Sequence, residues 1–516
     1  MIKLIYLSII SGVFFFLSWP TNFKLLTPLI FLTFIPLLLI ENKIRANKKN
    51  SLYIILYSYF SFFIFNFSCT IWVENASPAF GEGLIAVLLN SLFMSIVFYL
   101  FHISLKKINF ISPIFFLSGY WIFFEILHMN WDLNWPWLTL GNVFSEFPIL
   151  IQWYSYTGVL GGSLWVLILN YLIFKCYLNF LSKKTLKLNN ILLVFFIPIL
   201  ISAGIYISSN FQGKKTNILV AQSNIDPNLE KFSSQAQRIE KSVFHELTKN
   251  INDSINYVIF PETFLSSTFT ISNNETINYN RNQISHITRL VEKYPNLNII
   301  IGATVYHFID GYKDYKQRAY KLYNSSLQFN SSGTNFYHKS KLVPGAEQLP
   351  YKNYLKFFLN ENFLKLAGGA GNLSKQDSIT LFSSNENKIA SLICYESVFP
   401  NHVRKFVKKG AQAIFIITND GWWGDTQGRK QHNSYARIRA IETRRFVARS
   451  ANTGISSVIN PLGQFEKVLE HNTSGSFIHP IELLSFKTFY VKHGNILIFI
   501  YLVILLFFGL IKKYRN

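Results

Sequence analysis

Long apolar runs separated by short polar breaks fill the first 209 residues, and one more such run closes the chain. A helix needs about 20 apolar residues to cross a bilayer. By that measure the pattern predicts eight spans, near 3–19, 24–41, 52–72, 84–104, 110–128, 155–178, 190–209 and 494–511. The first resembles a secretory leader, with Lys3 ahead of its apolar stretch. Further spans follow it and a small-residue cleavage site does not, so it reads as a retained span.

Between 214 and 492 the period changes. Residues 217–222, 257–260, 298–302, 389–393 and 413–418 read as buried strands. Residues 234–250, 284–293, 400–409 and 430–446 read as helices, and 322–329 with 335–338 as a hairpin across Ser331-Ser332-Gly333. Alternating strands and helices predict a layered α/β domain. The expected organisation is a bundle of about seven helices over 1–212, an α/β domain over 213–490, and a last span with a basic tail over 491–516.

Composition agrees. Half of the 516 residues are hydrophobic and 15% are charged, against about 25% in soluble domains. Basic residues mark alternate loops: Lys43, Arg45, Lys48 and Lys49; Lys106 and Lys107; Lys183, Lys184 and Lys187; Lys512, Lys513 and Arg515. The positive-inside rule then places both termini in the cytoplasm and the α/β domain outside, in the periplasm of a two-membrane bacterium. These anchors account for the net charge of +22 through attraction to anionic lipid, and an outward domain argues against nucleic acid as a partner. Arg437, Arg439, Arg444, Arg445 and Arg449 recur at helical spacing and predict a solvated or ion-paired face.

Three residues at strand ends carry candidate chemistry. Cys394 ends the run Ile389–Ile393 and is the one thiol of the polar part, since Cys69 and Cys176 lie in apolar spans. A lone thiol there is a candidate nucleophile, with a buried structural cysteine as the competing reading. Glu262 follows Phe260-Pro261, and Lys339 follows Tyr337-His338. Glu262 can take the thiol proton, Lys339 can stabilise an oxyanion, and the Tyr395 backbone N–H offers a second donor. The histidines show no zinc-type spacing, so no metal or cofactor is expected. A Cys–His dyad through His402 or His432 lacks motif support.

Phe-Pro-Glu at Glu262, Tyr-x-Lys-x-x-Leu-Val-Pro at Lys339 and Ile-Cys-Tyr-Glu at Cys394 together resemble the Glu–Lys–Cys triad of the nitrilase superfamily. So do Thr418-Asn419-Asp420-Gly421-Trp422-Trp423-Gly424, Gln431-His432 and Arg449-Ser450-Ala451-Asn452 downstream. A nitrilase domain between a bundle of spans and a final span resembles the apolipoprotein N-acyltransferase family. The resemblance implies an αββα sandwich. It also implies transfer of a fatty acyl chain from a phospholipid, through a Cys394 thioester, to the amino group of a lipoprotein's diacylglyceryl-cysteine. It adds Glu347 as a further essential glutamate, Glu396 beside the nucleophile, and Phe232 where the family has tryptophan. Gly345-Ala346 stands where the family has Phe-Gly. The chain is expected to act as a monomer. Residues 351–366, rich in aromatics and lysines, with Gly368, Gly369 and Gly371 behind them, read as a membrane-facing lid on a hinge.

Two other classes fit parts of the pattern. A membrane-tethered amidase would use the same triad with water as second acceptor. A transporter with an inert outer domain would need intramembrane charges, and Glu125, expected near the outer interface, is the most notable one.

Overall fold

The computed structural model describes residues 2–19, 21, 23–77, 81–226, 229–231, 233–271, 277–308, 320–351, 354 and 373–515. Apart from Tyr351 and Tyr354, the expected lid and its glycine hinge lie outside these residues. The chain divides into two compact units, Met1–Ser209 with Lys492–Asn516, and Asn210–Val491.

The first unit is helical. Lys24–Ala46, Leu52–Ala76, Glu82–Lys107, Val159–Leu181 and Leu188–Ser208 are long and apolar enough to cross a membrane. Ile2–Ser18, Pro113–His128 and Ile496–Ile511 are apolar but shorter. In hydrocarbon, every backbone group must find a protein partner. The expected span at 24–41 is broken: a 3₁₀ stretch, Lys24–Leu32, contains Pro28 and gives way to an α-helix at Ile35–Ala46. Asn170 mends the break. Its Nδ2 donates to Ile30 O at 2.8 Å and its Oδ1 accepts from Phe34 N at 2.8 Å. Pro198 has no N–H to offer Val194 O, and Trp165 Nε1 donates to that carbonyl at 2.8 Å. Glu125 is buried inside this unit. Its Oε1 accepts from Leu140 N at 2.8 Å and Trp121 Nε1 at 3.1 Å, which ties down the loop after its helix.

The second unit holds two sheets. The first contains β1 (Lys214–Gln222), β2 (Ile255–Ile259), β3 (Leu265–Ile271), β4 (Ile277–Tyr279), β5 (Asn298–Phe308), β6 (Tyr320–Asn330) and β7 (Gly333–His338). The second contains β8 (Phe382–Ser384), β9 (Asn387–Ile393), β10 (Ala413–Thr418), β11 (Val447–Ala451), β12 (Ser456–Ile459) and β13 (Phe465–Leu469), and β14 (Gly475–Leu483) returns to the first sheet. The first sheet runs β14-β1-β2-β5-β3-β4 with the β6–β7 hairpin on β5; the second runs β13-β12-β11-β10-β9-β8. Pairings β1–β2, β2–β5, β9–β10 and β10–β11 are parallel.

Alternation along each strand explains the layers. Ile218, Val220, Tyr257 and Ile259 join a core with β9, β10 and β11 of the second sheet. Leu219, Ala221, Val258 and Phe260 join a separate core with the helices Ala236–Thr248 and Ser285–Lys293. Val403, Phe406, Ala436 and Ala440 bring the helices Pro400–Lys408 and Gln427–Thr443 onto the second sheet. Strands buried on both faces read as continuous apolar runs, which is how they stand in the sequence. Tyr257 and Phe415 meet across the sheets at 5.5 Å, and Ser326 Oγ and Ser391 Oγ at 2.7 Å. The result is an αββα sandwich.

Candidate active site

Parallel strands deliver their C-terminal ends to one edge of a sandwich, where loops are free to carry polar groups. β2 ends three residues before Glu262, β7 immediately before Lys339, and β9 immediately before Cys394. All three residues are buried. Lys339 Nζ lies 3.1 Å from Glu262 Oε1 and 2.8 Å from Glu347 Oε1. Asn324 Nδ2 donates to Glu262 Oε1 at 2.7 Å and to Glu347 Oε1 at 3.3 Å. Asn419 N donates to Glu262 Oε2 at 2.9 Å, so both oxygens of Glu262 are aimed. Glu347 Oε2 accepts from Val343 N at 2.9 Å. Burial disfavours the Lys339 charge. Glu262 and then Glu347 outweigh it and hold the ammonium well above its ordinary range.

Gly345 explains the departure at 345–346. It adopts φ +84, a left-handed conformation in which a larger residue is strained. The turn closes through Gly345 N to Gln348 O and Glu347 N to Val343 O, both at 2.9 Å. The Glu347 loop therefore keeps its grip on Lys339 without the family's aromatic.

Cys394 sits on a sharp strand-to-3₁₀ bend, with φ 51. Positive φ is rare for a residue with a side chain and marks a position held by its surroundings. Glu396 supplies much of the hold. Its Oε2 accepts from Ile393 N at 2.8 Å, while its Oε1 accepts from Ser340 N and Tyr337 OH, both at 2.6 Å. One carboxylate thus staples the Cys394 bend to the loop that carries Lys339. Tyr395, next after Cys394, packs edge-on against Phe399 at 5.0 Å.

Ser397 Oγ donates to Cys394 O at 2.8 Å, and His432 Nε2 lies 3.2 Å from the same carbonyl. His432 Nε2 also lies 2.9 Å from Ser397 Oγ, and its Nδ1 lies 3.1 Å from both Asp420 Oδ1 and Arg449 Nη2. Burial and then Arg449 lower the His432 pKa, against the opposing pull of Asp420. A ring so occupied is a brace for Cys394, not its base. Cys394 Sγ, an Asp420 carboxylate oxygen and a His432 ring nitrogen lie within 4.8 Å of one another. These are metal-type donors, but Asp420 is already paired with Arg449, whose charge opposes a dication at that place. Burial disfavours the Asp420 charge; Arg449 above all overrides that and holds its pKa well below the usual carboxylate range.

The Cys394 thiol is pushed up by burial and then by Glu262, and Asp420 adds to this. Lys339 and a hydrogen bond with Thr418 pull it down, by less. Cys394 is therefore a protonated thiol, one that could act as a nucleophile only with a base to take its proton.

Other expectations fare differently. Phe232 lies outside the described residues. The arginines read as a solvated or ion-paired face are buried. Arg439 and Arg449 pair with Glu442 and Asp420. Arg437, Arg444 and Arg445 donate to the carbonyls of Gly463, Pro461 and Ala411. Five donors on one planar group let arginine cap buried carbonyls that lysine could not reach. His402, the other dyad candidate, is occupied by Glu396 at 3.3 Å. Asn324, which holds both glutamates, had only a polar residue inside an apolar strand as its sequence signal. Asn419 and Asp420 stood within a quoted motif without a role.

Carboxylate, ammonium and thiol converging at the strand ends of an αββα sandwich define a nitrilase-type domain. Residues 219–486 match the carbon-nitrogen hydrolase family, and residues 11–172 match the apolipoprotein N-acyltransferase N-terminal domain. The apolipoprotein N-acyltransferase of Chlorobaculum tepidum is 27% identical over 96% of this chain and 93% of its own. That of Rickettsia bellii is 30% identical over 77% of this chain and 76% of its own. Among solved structures, Saccharomyces cerevisiae Nit3, a member of the nitrilase superfamily, covers 54% of this chain and 92% of its own, with 19% identity and a TM-score of 0.37. The chain belongs to the apolipoprotein N-acyltransferase family.

Gly302 offers a test of how tightly Glu262 is placed. A Cβ there would lie 2.3 Å from Thr263 N and 2.6 Å from Glu262 Cα. Backbone cannot yield as a flexible side chain does, so Gly302→Ala must displace the Glu262 turn. Misplacing a reacting group by about 1 Å can cost roughly a hundredfold. Turnover per folded molecule should fall by about that factor in Gly302→Ala, with the melting temperature only modestly lowered. Unchanged turnover would show that the position of Glu262 does not matter.

Proposed function

We propose that this protein moves a fatty acyl chain from a membrane phospholipid to the α-amino group of an apolipoprotein's N-terminal diacylglyceryl-cysteine, by way of a thioester on Cys394. The observation that carries this is Lys339 held between Glu262 and Glu347, beside a protonated thiol on a strained bend.

In the first half-reaction Glu262 takes the Cys394 proton as Sγ attacks the ester carbonyl carbon. Negative charge passes to the carbonyl oxygen, where the Lys339 ammonium and the Tyr395 backbone N–H receive it. The carbon–oxygen bond then breaks. Glu262 returns the proton to the glyceryl oxygen, and a lysophospholipid leaves. In the second half-reaction the acceptor amine attacks the thioester carbonyl, Glu262 accepts the amine proton, the carbon–sulfur bond breaks, and the thiol is restored. Glu347 keeps Lys339 charged and in place throughout. Ping-pong kinetics follow from the covalent intermediate.

The apolar unit has a physical reason in this scheme. Each CH₂ buried in a bilayer contributes about 0.8 kcal/mol, so extracting one long acyl chain into water costs on the order of 10 kcal/mol. An enzyme resident in the membrane receives the chain without that step. The charge pattern of the loops supports an inner-membrane protein with its catalytic unit in the periplasm.

Two measurements test this reading. Purified full-length protein in mixed micelles, given phospholipid and a diacylglyceryl-cysteine peptide, should form N-acyl peptide. Cys394→Ala should form none, and Glu262→Gln should be slower by about 10²–10⁴-fold. Full activity in Cys394→Ala would end the proposal. For orientation, Glu386→Cys lies on an exposed turn and should react with a membrane-impermeant thiol reagent in spheroplasts, while Lys49→Cys should not. The opposite labelling would place the catalytic unit in the cytoplasm.

A further inference from the structure

The scheme above leaves one cation of the site unused. Lys231 stands in the loop between β1 and the helix Ala236–Thr248. Its stem keeps some exposure, but its amine reaches inward to the Glu262 turn. Nζ donates to Glu262 O at 3.2 Å and to Thr263 Oγ1 at 2.5 Å. With the Asn419 amide oriented by the donors around it, Asn419 Oδ1 accepts from Lys231 Nζ at 3.0 Å and from Trp422 Nε1 at 3.2 Å. Asn419 is the residue whose backbone N–H aims Glu262 Oε2. Lys231 therefore grips Glu262 from two sides, through its own carbonyl and through the loop after β10.

The turn it grips is strained. Thr263 has φ 46, an outlying conformation for a β-branched residue. Such a conformation persists only where the surroundings over-determine it.

Charge gives the amine a second task. Glu262 and Glu347 are two carboxylates, and Lys339 is one ammonium between them. Glu262 is the carboxylate whose charge acts most strongly on Lys231. Glu230 and Glu240 line the same cavity but are engaged elsewhere, Glu230 by Asp226 N and Glu240 by Ser266 N.

Building on the acyl-transfer reading, we propose that Lys231 is a positioning residue and the second cation of the reacting centre. It fixes the Glu262 turn and adds positive charge beside the two carboxylates, so that Glu262 is held where it can take the Cys394 proton. With Lys231 uncharged, two carboxylates face one ammonium, and the Cys394 thiol gives up its proton less readily.

The sign of the pH dependence follows. Burial lowers the Lys231 pKa to about 8, against the partial opposition of Glu262 and Cys394. The cation is present below that pH and lost above it, whereas an ordinary lysine stays charged to about pH 10.

The test is the rate at which iodoacetamide alkylates Cys394 in detergent-purified full-length protein, read by peptide mass. Wild type, Lys231→Met and Lys231→Arg are compared near about pH 7 and about pH 9.5, on either side of the lowered pKa. Near pH 7 the Met variant should react slower than wild type by roughly tenfold, the order expected for one removed charge at this range. Near pH 9.5 the two should converge, because wild-type Lys231 has lost its proton. The Arg variant, which keeps its charge, should match wild type at the lower pH and exceed it at the higher. A deficit of equal size at both values would mean that Lys231 is only a structural prop, and no deficit at either would remove it from the site. If the Met variant does not fold, equal rates for Arg and wild type at both values would overturn the proposal by themselves. Alkylation needs no lipid, so it reads Lys231 even if acyl transfer fails in the separate transfer assay.

Discussion

One ammonium held between two carboxylates, out of water, is the constraint around which the catalytic unit is arranged. Burial opposes the Lys339 charge, and Glu262 and Glu347, both within hydrogen-bond distance of its amine, outweigh that opposition. Removing one partner of a buried charge set typically costs about 3–5 kcal/mol, because the remaining charges are stranded. Glu262 follows β2, and Lys339 and Glu347 share the loop after β7, so two strand ends of the first sheet must come together before the set can close. The Asn324 amide, bridging both glutamates, makes the arrangement directional.

Around that set, further buried groups hold the reacting backbone in unfavourable shapes. Cys394 and Thr263 both have positive φ, and each is flanked by polar contacts that leave it little alternative. Glu396 joins the Cys394 bend to the Lys339 loop. Asp420, Arg449 and His432 brace the Cys394 carbonyl from below. Cys394 stands on one of these strained positions, and burial first, then Glu262, keeps its thiol protonated.

Much of this was legible in the chain before any coordinates. Strands buried on both faces announce themselves as apolar runs, and the polar residue that ends each run marks the sheet edge. That is why Glu262, Lys339 and Cys394 stood out, and why most of β1, β2, β9 and β10, the start of β5 and the β6–β7 hairpin were placed. Strands β3, β4 and β11–β14 were not, since they are short, polar or rich in serine, and their pairing is decided by distant partners. The arginines show the same limit: spacing defines a helix face but not what covers it, and the loop at 461–463 covers part of this one. Asn324 and Lys231 gave no warning for a related reason. Their importance lies in what the fold sets beside them, and a single polar residue carries no such information.

In the membrane unit the same logic operates through backbone groups instead of charges. Pro28 and Pro198 interrupt helices, and Asn170 and Trp165 satisfy the carbonyls and amides left over. The account as a whole turns on one covalent species. Intact mass measurement of the wild-type protein, incubated with a phospholipid carrying a single kind of acyl chain, should show one added acyl group on Cys394. That adduct should be labile to hydroxylamine and should discharge when a diacylglyceryl-cysteine peptide is added. N-acyl peptide formed in the complete mixture, with no adduct detectable in rapidly quenched samples that lack the peptide, would contradict it.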